Sequence, residues 1–502
     1  MKTFLSSFYD QFSKQLSTHR FHLLIVIVLS SLLLFSNLHK GGLSGYDDAF
    51  YAHEGKQMLY TGDWWSIHIN GYQNSEYPPM FIWLEAASMT VFGISDFAAK
   101  FPSALAGLLT IILVFGIARE LSDEFWLPVC AAWILMLSQY FIKYAMHAMT
   151  DVPYTLFFTL SLYFYVKGLK RPWYFVLFGV ALASAILTRS VLGLIPVGIV
   201  IIHLVVIKRY PVLWSRHFVG GLIVAILLPS IWYVSQYRLH GPAFLNDHFS
   251  FIFNKVVIDK PSSDGSFLRG LLEYPWLLLR LYWPWLPLML IGLAMQIKNA
   301  VRERDRMATL LILWVLFVIV PLSLVEAKVL RYIMPVFPAF AILSAIPLAR
   351  WLPAVGKNRY VPLAYAVLCV AVLLIAVFPK PLKRAEEMSR LAPIAEAHSD
   401  QSQRVLIYTS GEARHDYITQ FLWYADRFCE HLLDPDKLVE RLRVSDSTVF
   451  IVDKASYERL VKNSGVTIQE LGNTENFVCF RVVGERTLTE SHPPIKLIVR
   501  DG

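Results

Sequence analysis

The chain has 502 residues, 56% hydrophobic and only 17% charged. An ordinary soluble globule of this length needs more polar surface, so the composition points to a membrane protein. The formal net charge of +8 is no signature of nucleic-acid binding, because Lys and Arg gather in short gaps between apolar runs.

The first apolar run follows roughly 20 mostly polar residues, and no small-residue cleavage site comes after it, so it reads as a retained anchor rather than a cleaved signal. Eleven spans are expected, at 21–38, 97–118, 125–144, 153–168, 172–188, 190–207, 218–237, 277–297, 308–326, 332–350 and 360–378. They are expected to be helices, because a separate segment in lipid must satisfy its own backbone hydrogen bonds. The runs do not alternate as barrel strands would. The apolar stretch from Pro78 to Gly93 is short for a span and reads as an interfacial helix in the first external loop.

With the N-terminus in the cytoplasm, the even-numbered gaps are all short and basic. They carry Arg119; Lys167, Lys170 and Arg171; Lys208, Arg209 and Arg216; Lys298, Arg302, Arg304 and Arg306; and Arg350, Lys357 and Arg359. The positive-inside rule favours this orientation, which places the long gaps 39–96 and 238–276 and the C-terminus outside. Residues 1–379 then form a transmembrane catalytic domain, and residues 380–502 a small extracytoplasmic α/β domain. Strands are expected at Arg404–Tyr408, Thr448–Val452 and Phe477–Val483, and helices at Pro435–Arg443 and Tyr457–Asn463. Cys130 and Cys369 lie in apolar runs and read as packing residues. Cys429 and Cys479 either pair or stand as free thiols.

Candidate chemistry falls on one face. The first external loop reads Gly45-Tyr-Asp47-Asp48-Ala-Phe-Tyr51-Ala-His-Glu-Gly55, then continues through Trp64-Trp65 to Glu76-Tyr77-Pro78-Pro79. Adjacent carboxylates beside a membrane raise each other's pKa or recruit a cation or a base. The alternative is a loop that caps the next helix. Asp151, between the third and fourth spans, either caps the fourth or meets a partner. His248, in Asn246-Asp247-His248, is a ligand or a hydrogen-bonded surface residue. In Glu326-Ala-Lys328-Val-Leu-Arg331-Tyr332, two cations about one helical turn apart suit a phosphate or ordinary snorkelling, as does Arg189. Together they suggest a polar site at the outer membrane boundary, suited to a lipid phosphate.

These stretches resemble the type C glycosyltransferases related to protein O-mannosyltransferases and bacterial lipid A aminoarabinose transferases. The resemblance runs in family order from Asp47-Asp48-Ala-Phe-Tyr51-Ala through Gly62-Asp63-Trp64, Glu76-Tyr77-Pro78-Pro79, Phe97–Gly107, Asp151-Val-Pro153, Leu187-Thr-Arg189 and Asp247-His248 to Lys328–Pro338. It covers the membrane part and leaves the C-terminal domain unmatched. It implies an inverting transferase that takes a sugar from a polyprenyl-phosphate donor to a cell-envelope glycolipid, polysaccharide or protein acceptor, outside the bacterial inner membrane. Asp47 would be the base, with Asp151 orienting its partners. Arg189, Lys328, Arg331 and Tyr332 would meet the donor phosphate, and Tyr51, Glu76 and Tyr77 would line the substrate site. Some relatives hold a divalent metal ion through residues matching Glu76 and His248, which alone make an incomplete ligand set. Tyr77 stands where aminoarabinose transferases have a Lys thought to contact the phosphate. A membrane lipid or sugar transporter or flippase is the alternative reading. The expected internal repeat and midplane charges of a transporter are not evident in the sequence.

Overall fold

The computed structural model describes residues 18–43, 45–253, 276–324, 329–355, 360–377, 386–401, 403–410, 414–444 and 448–483. Two compact units divide at 385/386. In the first, helix α1 (His19–Phe35) leads to α2 (Gly45–Thr61), a small hairpin β1 (Ile67–Ile69) and β2 (Tyr72–Asn74), and α3 (Met80–Phe92). The helices α4 (Asp96–Leu121), α5 (Trp126–Met136), α6 (Gln139–Ala145), α7 (Asp151–Gly168) and α8 (Tyr174–Arg189) follow. After a 3-10 stretch (Ser190–Leu194) come α9 (Ile195–Val206), α10 (Arg216–His240) and α11 (Pro242–Phe253). The unit continues with α12 (Leu286–Arg302), α13 (Arg306–Leu324), a 3-10 stretch (Leu330–Val336), α14 (Phe337–Val355) and α15 (Tyr360–Val377).

Among the described residues, five helical stretches are long and apolar enough to cross a membrane. They are Asp96–Leu121, Tyr174–Val206, Arg216–His240, Arg306–Ser323 and Leu330–Leu352. A sixth is added if α5 and α6, bent by 63°, count as one. The remaining apolar runs form helices that are short, such as α1, or more polar, such as α7, which carries Asp151 and Lys167. The stretch Tyr174–Val206 is not one straight rod. At Ser190 the backbone leaves the helix with φ 49° and ψ −123°. A Cβ on Gly193 would collide with the backbone of Ile186. In a straight helix, seven residues lie roughly 10 Å apart along the axis, so the chain turns back here.

Close packing positions these helices. A Cβ on Gly179 would overlap the carbonyl of Gly221, and one on Gly221 that of Phe175. Only glycine lets α8 and α10 approach backbone to backbone, as small residues do where lipid supplies no hydrophobic drive. Ser95 Oγ accepts from Ala98 N–H at 3.3 Å and caps the start of α4. From α4 the buried Lys100 donates to the carbonyls of Leu38, Lys40 and Gly42, at 3.4, 3.3 and 2.5 Å, and fixes the chain entering α2.

The second unit, 386–502, is built on a five-stranded sheet of order β4-β3-β5-β7-β6. Its strands are β3 (Val405–Tyr408), β4 (Cys429–Leu432), β5 (Val449–Asp453), β6 (Ile468–Asn473) and β7 (Phe477–Val482). β4, β3 and β5 run parallel; β7 and β6 add antiparallel. Helices α16 (Glu386–Ala397), α17 (Arg414–Tyr424) and α18 (Pro435–Val444) connect or flank the strands. Cys429 and Cys479 are both buried, and neither forms a disulfide. They stand on β4 and β7, with β3 and β5 between. Three strand spacings, roughly 14 Å, exceed the reach of a disulfide, so their pairing is ruled out.

Candidate active site

Four element ends meet at the site. Asp47 stands in the first turn of α2, Asp151 begins α7, Arg189 ends α8, and Arg331 lies in the 3-10 stretch before α14. Asp47 Oδ2 receives Arg331 Nη2 at 2.6 Å, and Arg331 Nε lies 3.8 Å from Asp151 Oδ2. The other oxygen of Asp151, Oδ1, receives Arg189 Nη2 at 2.6 Å. The result is an alternating row, Asp47–Arg331–Asp151–Arg189. Asp151 and Arg189, at one end of the row, are almost wholly buried, while Asp47 and Arg331 at the other keep a little solvent contact. Buried charges persist only when matched in this way.

Aromatic residues wall the row. The Arg189 guanidinium lies 5.2 Å from the centroid of the Tyr332 ring. Tyr51, four residues after Asp47 and so on the same helix face, sits edge-on to Tyr77 at 5.3 Å. Both phenols feel the charges of Arg189 and Asp47. Burial pushes the Tyr51 and Tyr77 hydroxyls well above the usual phenol range. Both therefore stay protonated and can donate hydrogen bonds to an anion.

Three supports hold the row. Asp48 is buried, and its Oδ2 accepts from His147 Nδ1 at 2.6 Å. That pair ties α2 to the turn before α7. Asp48 is therefore a cross-link as well as an acid in the first turn of a helix. Ser103 Oγ donates to Met149 O at 2.8 Å and fixes the same turn from α4. Tyr154 Oη donates to Leu192 O at 2.6 Å and holds the reversal after Arg189. Ser190 sits in that reversal at φ 49°, a region costing a non-glycine residue about 1–3 kcal/mol, which the surroundings must over-determine.

The sequence-based candidates divide clearly. Asp47, Tyr51, Tyr77, Asp151, Arg189, Arg331 and Tyr332 come together. Lys328 and Glu326 lie outside the described residues. The N–H of Glu76 donates to Asn74 Oδ1 at 3.2 Å, and its charge acts on Glu54. His248 is fully buried, with Nδ1 2.7 Å from Ser75 O and Nε2 3.2 Å from Ser190 Oγ and 3.1 Å from Tyr233 Oη. A carbonyl only accepts, so Nδ1 carries the proton and Nε2 is the acceptor. The lone pair that a metal would need is already taken by hydroxyls. Among the described residues, no three His, Cys, Asp or Glu gather as a metal site. The expected pairing of Glu76 and His248 on a divalent ion finds no third ligand among the described residues.

Two acids escaped the sequence reading. Glu54 Oε1 accepts from Asn74 Nδ2 at 2.6 Å, and Glu85 on α3 backs onto Gly55 of α2. Both are buried, and neither oxygen of Glu85 has a hydrogen-bond partner among the described residues. Burial first, then neighbouring carboxylates, pushes Glu85 well above the usual carboxylate range; burial does the same for Glu54. A signal existed for each. Glu54 falls seven residues after Asp47, on one helix face, and Glu85 interrupts an apolar stretch.

Residues 76–233 match the family model described as dolichyl-phosphate-mannose-protein mannosyltransferase. An uncharacterized protein of Aquifex aeolicus (strain VF5) is 28% identical over 71% of this chain and 70% of its own length. The undecaprenyl phosphate-alpha-4-amino-4-deoxy-L-arabinose arabinosyl transferase of Edwardsiella ictaluri (strain 93-146) is 26% identical over 69% of this chain, which spans 64% of that relative's length. Among solved structures, ArnT from Cupriavidus metallidurans bound to undecaprenyl phosphate matches with a TM-score of 0.71 at 17% identity. That match covers 92% of this chain and 99% of ArnT. The archaeal oligosaccharyltransferase AglB from Archaeoglobus fulgidus matches at 0.57 and 12% identity, covering 86% of this chain and 69% of its own. At these identities the solved structures establish the fold and nothing finer. The chain has the helical membrane fold of ArnT and AglB, and in sequence it is similar to the aminoarabinose transferases and, over residues 76–233, to the mannosyltransferase family model.

Proposed function

We propose that this protein is an inverting glycosyltransferase of the bacterial plasma membrane. It moves a sugar from a polyprenyl-phosphate donor to a cell-envelope acceptor (a glycolipid such as lipid A, a polysaccharide or a protein) on the outer face. The observation that carries the reading is the row Asp47–Arg331–Asp151–Arg189, set at the ends of apolar helices. Orientation rests on the basic short gaps, which put those ends outside. The aminoarabinose transferases that the chain resembles support the donor class.

The reaction joins the acceptor oxygen to the anomeric carbon, breaks the bond from that carbon to the phosphate oxygen, and releases one proton. At rest, the two carboxylates are balanced by two guanidiniums. The donor's phosphate is an anion that competes with Asp47 for Arg331. As it docks, Asp47 is freed to take the acceptor's proton. Arg331 and Arg189 then face the charge that builds on the departing phosphate, with Tyr332, Tyr51 and Tyr77 as hydroxyl donors. Arg189 and the tyrosines supply what the Lys at position 77 supplies in relatives. Asp151 stays bonded to Arg189 and keeps it aimed. A single displacement inverts the anomeric centre.

The direct test is purified protein in lipid with a mixed pool of undecaprenyl-phosphate sugars, following sugar consumption. Asp47→Asn should cut turnover by about 10²–10⁴-fold while the protein folds and inserts normally. Near-normal turnover by the variant would remove Asp47 from the chemistry.

A further inference from the structure

His248 reaches three separate segments. Its Nδ1–H donates to Ser75 O at 2.7 Å, two residues before Tyr77. Its Nε2 faces the hydroxyl of Ser190, the residue after Arg189, and the hydroxyl of Tyr233 on α10. Tyr233 Oη also donates to Ser190 Oγ at 3.0 Å. The hydrogens of this triangle can be ordered. The carbonyl fixes the imidazole proton on Nδ1, and with the Tyr233 proton on Ser190 Oγ it is the Ser190 hydroxyl that donates to Nε2. The ring stacks on Phe244, with centroids 5.7 Å apart and planes 21° apart, and is closed from water. Everything around it favours a neutral imidazole with both nitrogens engaged.

The segments it joins are those that need holding. Ser190 occupies a left-handed backbone position that a serine does not adopt unaided, and its neighbour Arg189 must keep a fixed angle to Asp151 and Tyr332. Tyr77 lies on the short loop between the hairpin and α3. We propose that His248 is a positioning residue that locks Arg189 and Tyr77 into one phosphate-binding geometry through Ser190 and Ser75, with no metal ion on its Nε2. This rests on the transferase reading above and extends it to how the phosphate clamp is kept rigid.

The test uses full-length protein in nanodiscs, with undecaprenyl phosphate as the binding probe and the mixed donor pool for turnover. His248→Ala and Tyr233→Phe should each weaken binding and raise KM, His248→Ala by about tenfold, the worth of one lost buried hydrogen bond. The kcat should fall less than binding does, because Asp47 and Arg331 are untouched and Arg189 keeps its bond to Asp151. The double variant should bind no worse than His248→Ala alone, since both act through Ser190. Dialysis against EDTA and re-addition of zinc or magnesium should leave the wild type unchanged. Loss on chelation with recovery on adding a cation overturns the proposal, and so does an unaltered KM in both single variants. If His248→Ala does not fold, Tyr233→Phe, which removes one oxygen, and the chelation arm still decide. A wild type that neither binds undecaprenyl phosphate nor consumes any donor defeats the transferase reading itself. Wild-type binding with unaltered variants defeats only the role of His248.

Discussion

Helix α2 carries acids into two environments that differ in one respect. At its start, Asp47 and Asp48 each meet a nitrogen base, Arg331 and His147, at 2.6 Å. Two turns later, Glu54 has an asparagine, and its neighbour Glu85 has no hydrogen-bond partner among the described residues. Both regions are largely buried, but only the first is charge-matched. Desolvation penalises an unmatched carboxylate until it takes up a proton, whereas a guanidinium at contact keeps its partner charged and fixed in direction. The first region is organised for chemistry on an anion. The second lets neutral acids pack α2 against α3.

The largest effect that could break this contrast comes from the matched side. Arg189→Ala leaves Asp151 buried without its closest cation and should destabilise the protein by about 3–5 kcal/mol, read as a loss of thermal stability in detergent. Adding Asp151→Ala to that variant should restore much of it, because the stranded charge is gone. Arg189→Lys keeps the charge but loses the planar fork, and should fold well while binding undecaprenyl phosphate about tenfold more weakly. Equal stability of Arg189→Ala and wild type would mean the row is not coupled.

The unmatched side predicts the opposite sign. Glu85 has its folded pKa raised, so it holds a proton that the unfolded chain releases above about pH 4.3. Its contribution to stability is therefore greatest below that pH and falls as pH rises toward the folded value. Glu85→Gln mimics the protonated form. It should be at least as stable as wild type at pH 8, with the advantage shrinking toward pH 5 in thermal melts. A destabilised Gln variant at pH 8 would show that Glu85 is ionised and paired.

The smallest effect extends the contrast to the second unit. Burial pushes the thiols of Cys429 and Cys479 up to about 12, so almost none is thiolate at neutral pH. Both should resist iodoacetamide in the folded protein and react fully on unfolding without reductant. A protected pair after unfolding would reveal a disulfide.

What could be read from the sequence follows the same physics. Asp47, Asp151, Arg189 and Arg331 were visible because a charge at the end of an apolar run is costly unless it has a purpose. Which charge met which was not visible, because the partners lie far apart in the chain. His248 matches the hydrogen-bonded alternative, but its partners are not legible for the same reason: the atoms that occupy its nitrogens belong to Ser75, Ser190 and Tyr233. In the second unit, the central strands β3, β5 and β7 announced themselves as apolar runs. Strands β4 and β6 did not, because they are the two edges of the sheet and alternate or expose polar residues. Glu85 shows in the sequence only as a single acid interrupting an apolar stretch, and its neighbour Glu54 lies 31 residues away.

The row of four charges also bears on how the protein is made. Arg331 is translated more than half the chain after Asp47, whose counter-ion it is. Until that point leaves the ribosome, a nascent chain holds Asp47 without the Arg331 that faces it, and Asp151 with only Arg189. The site therefore cannot ripen helix by helix. It is completed in one late step, when the segment before α14 docks, and a chain stalled earlier in synthesis carries every acid of the site and none of its closure.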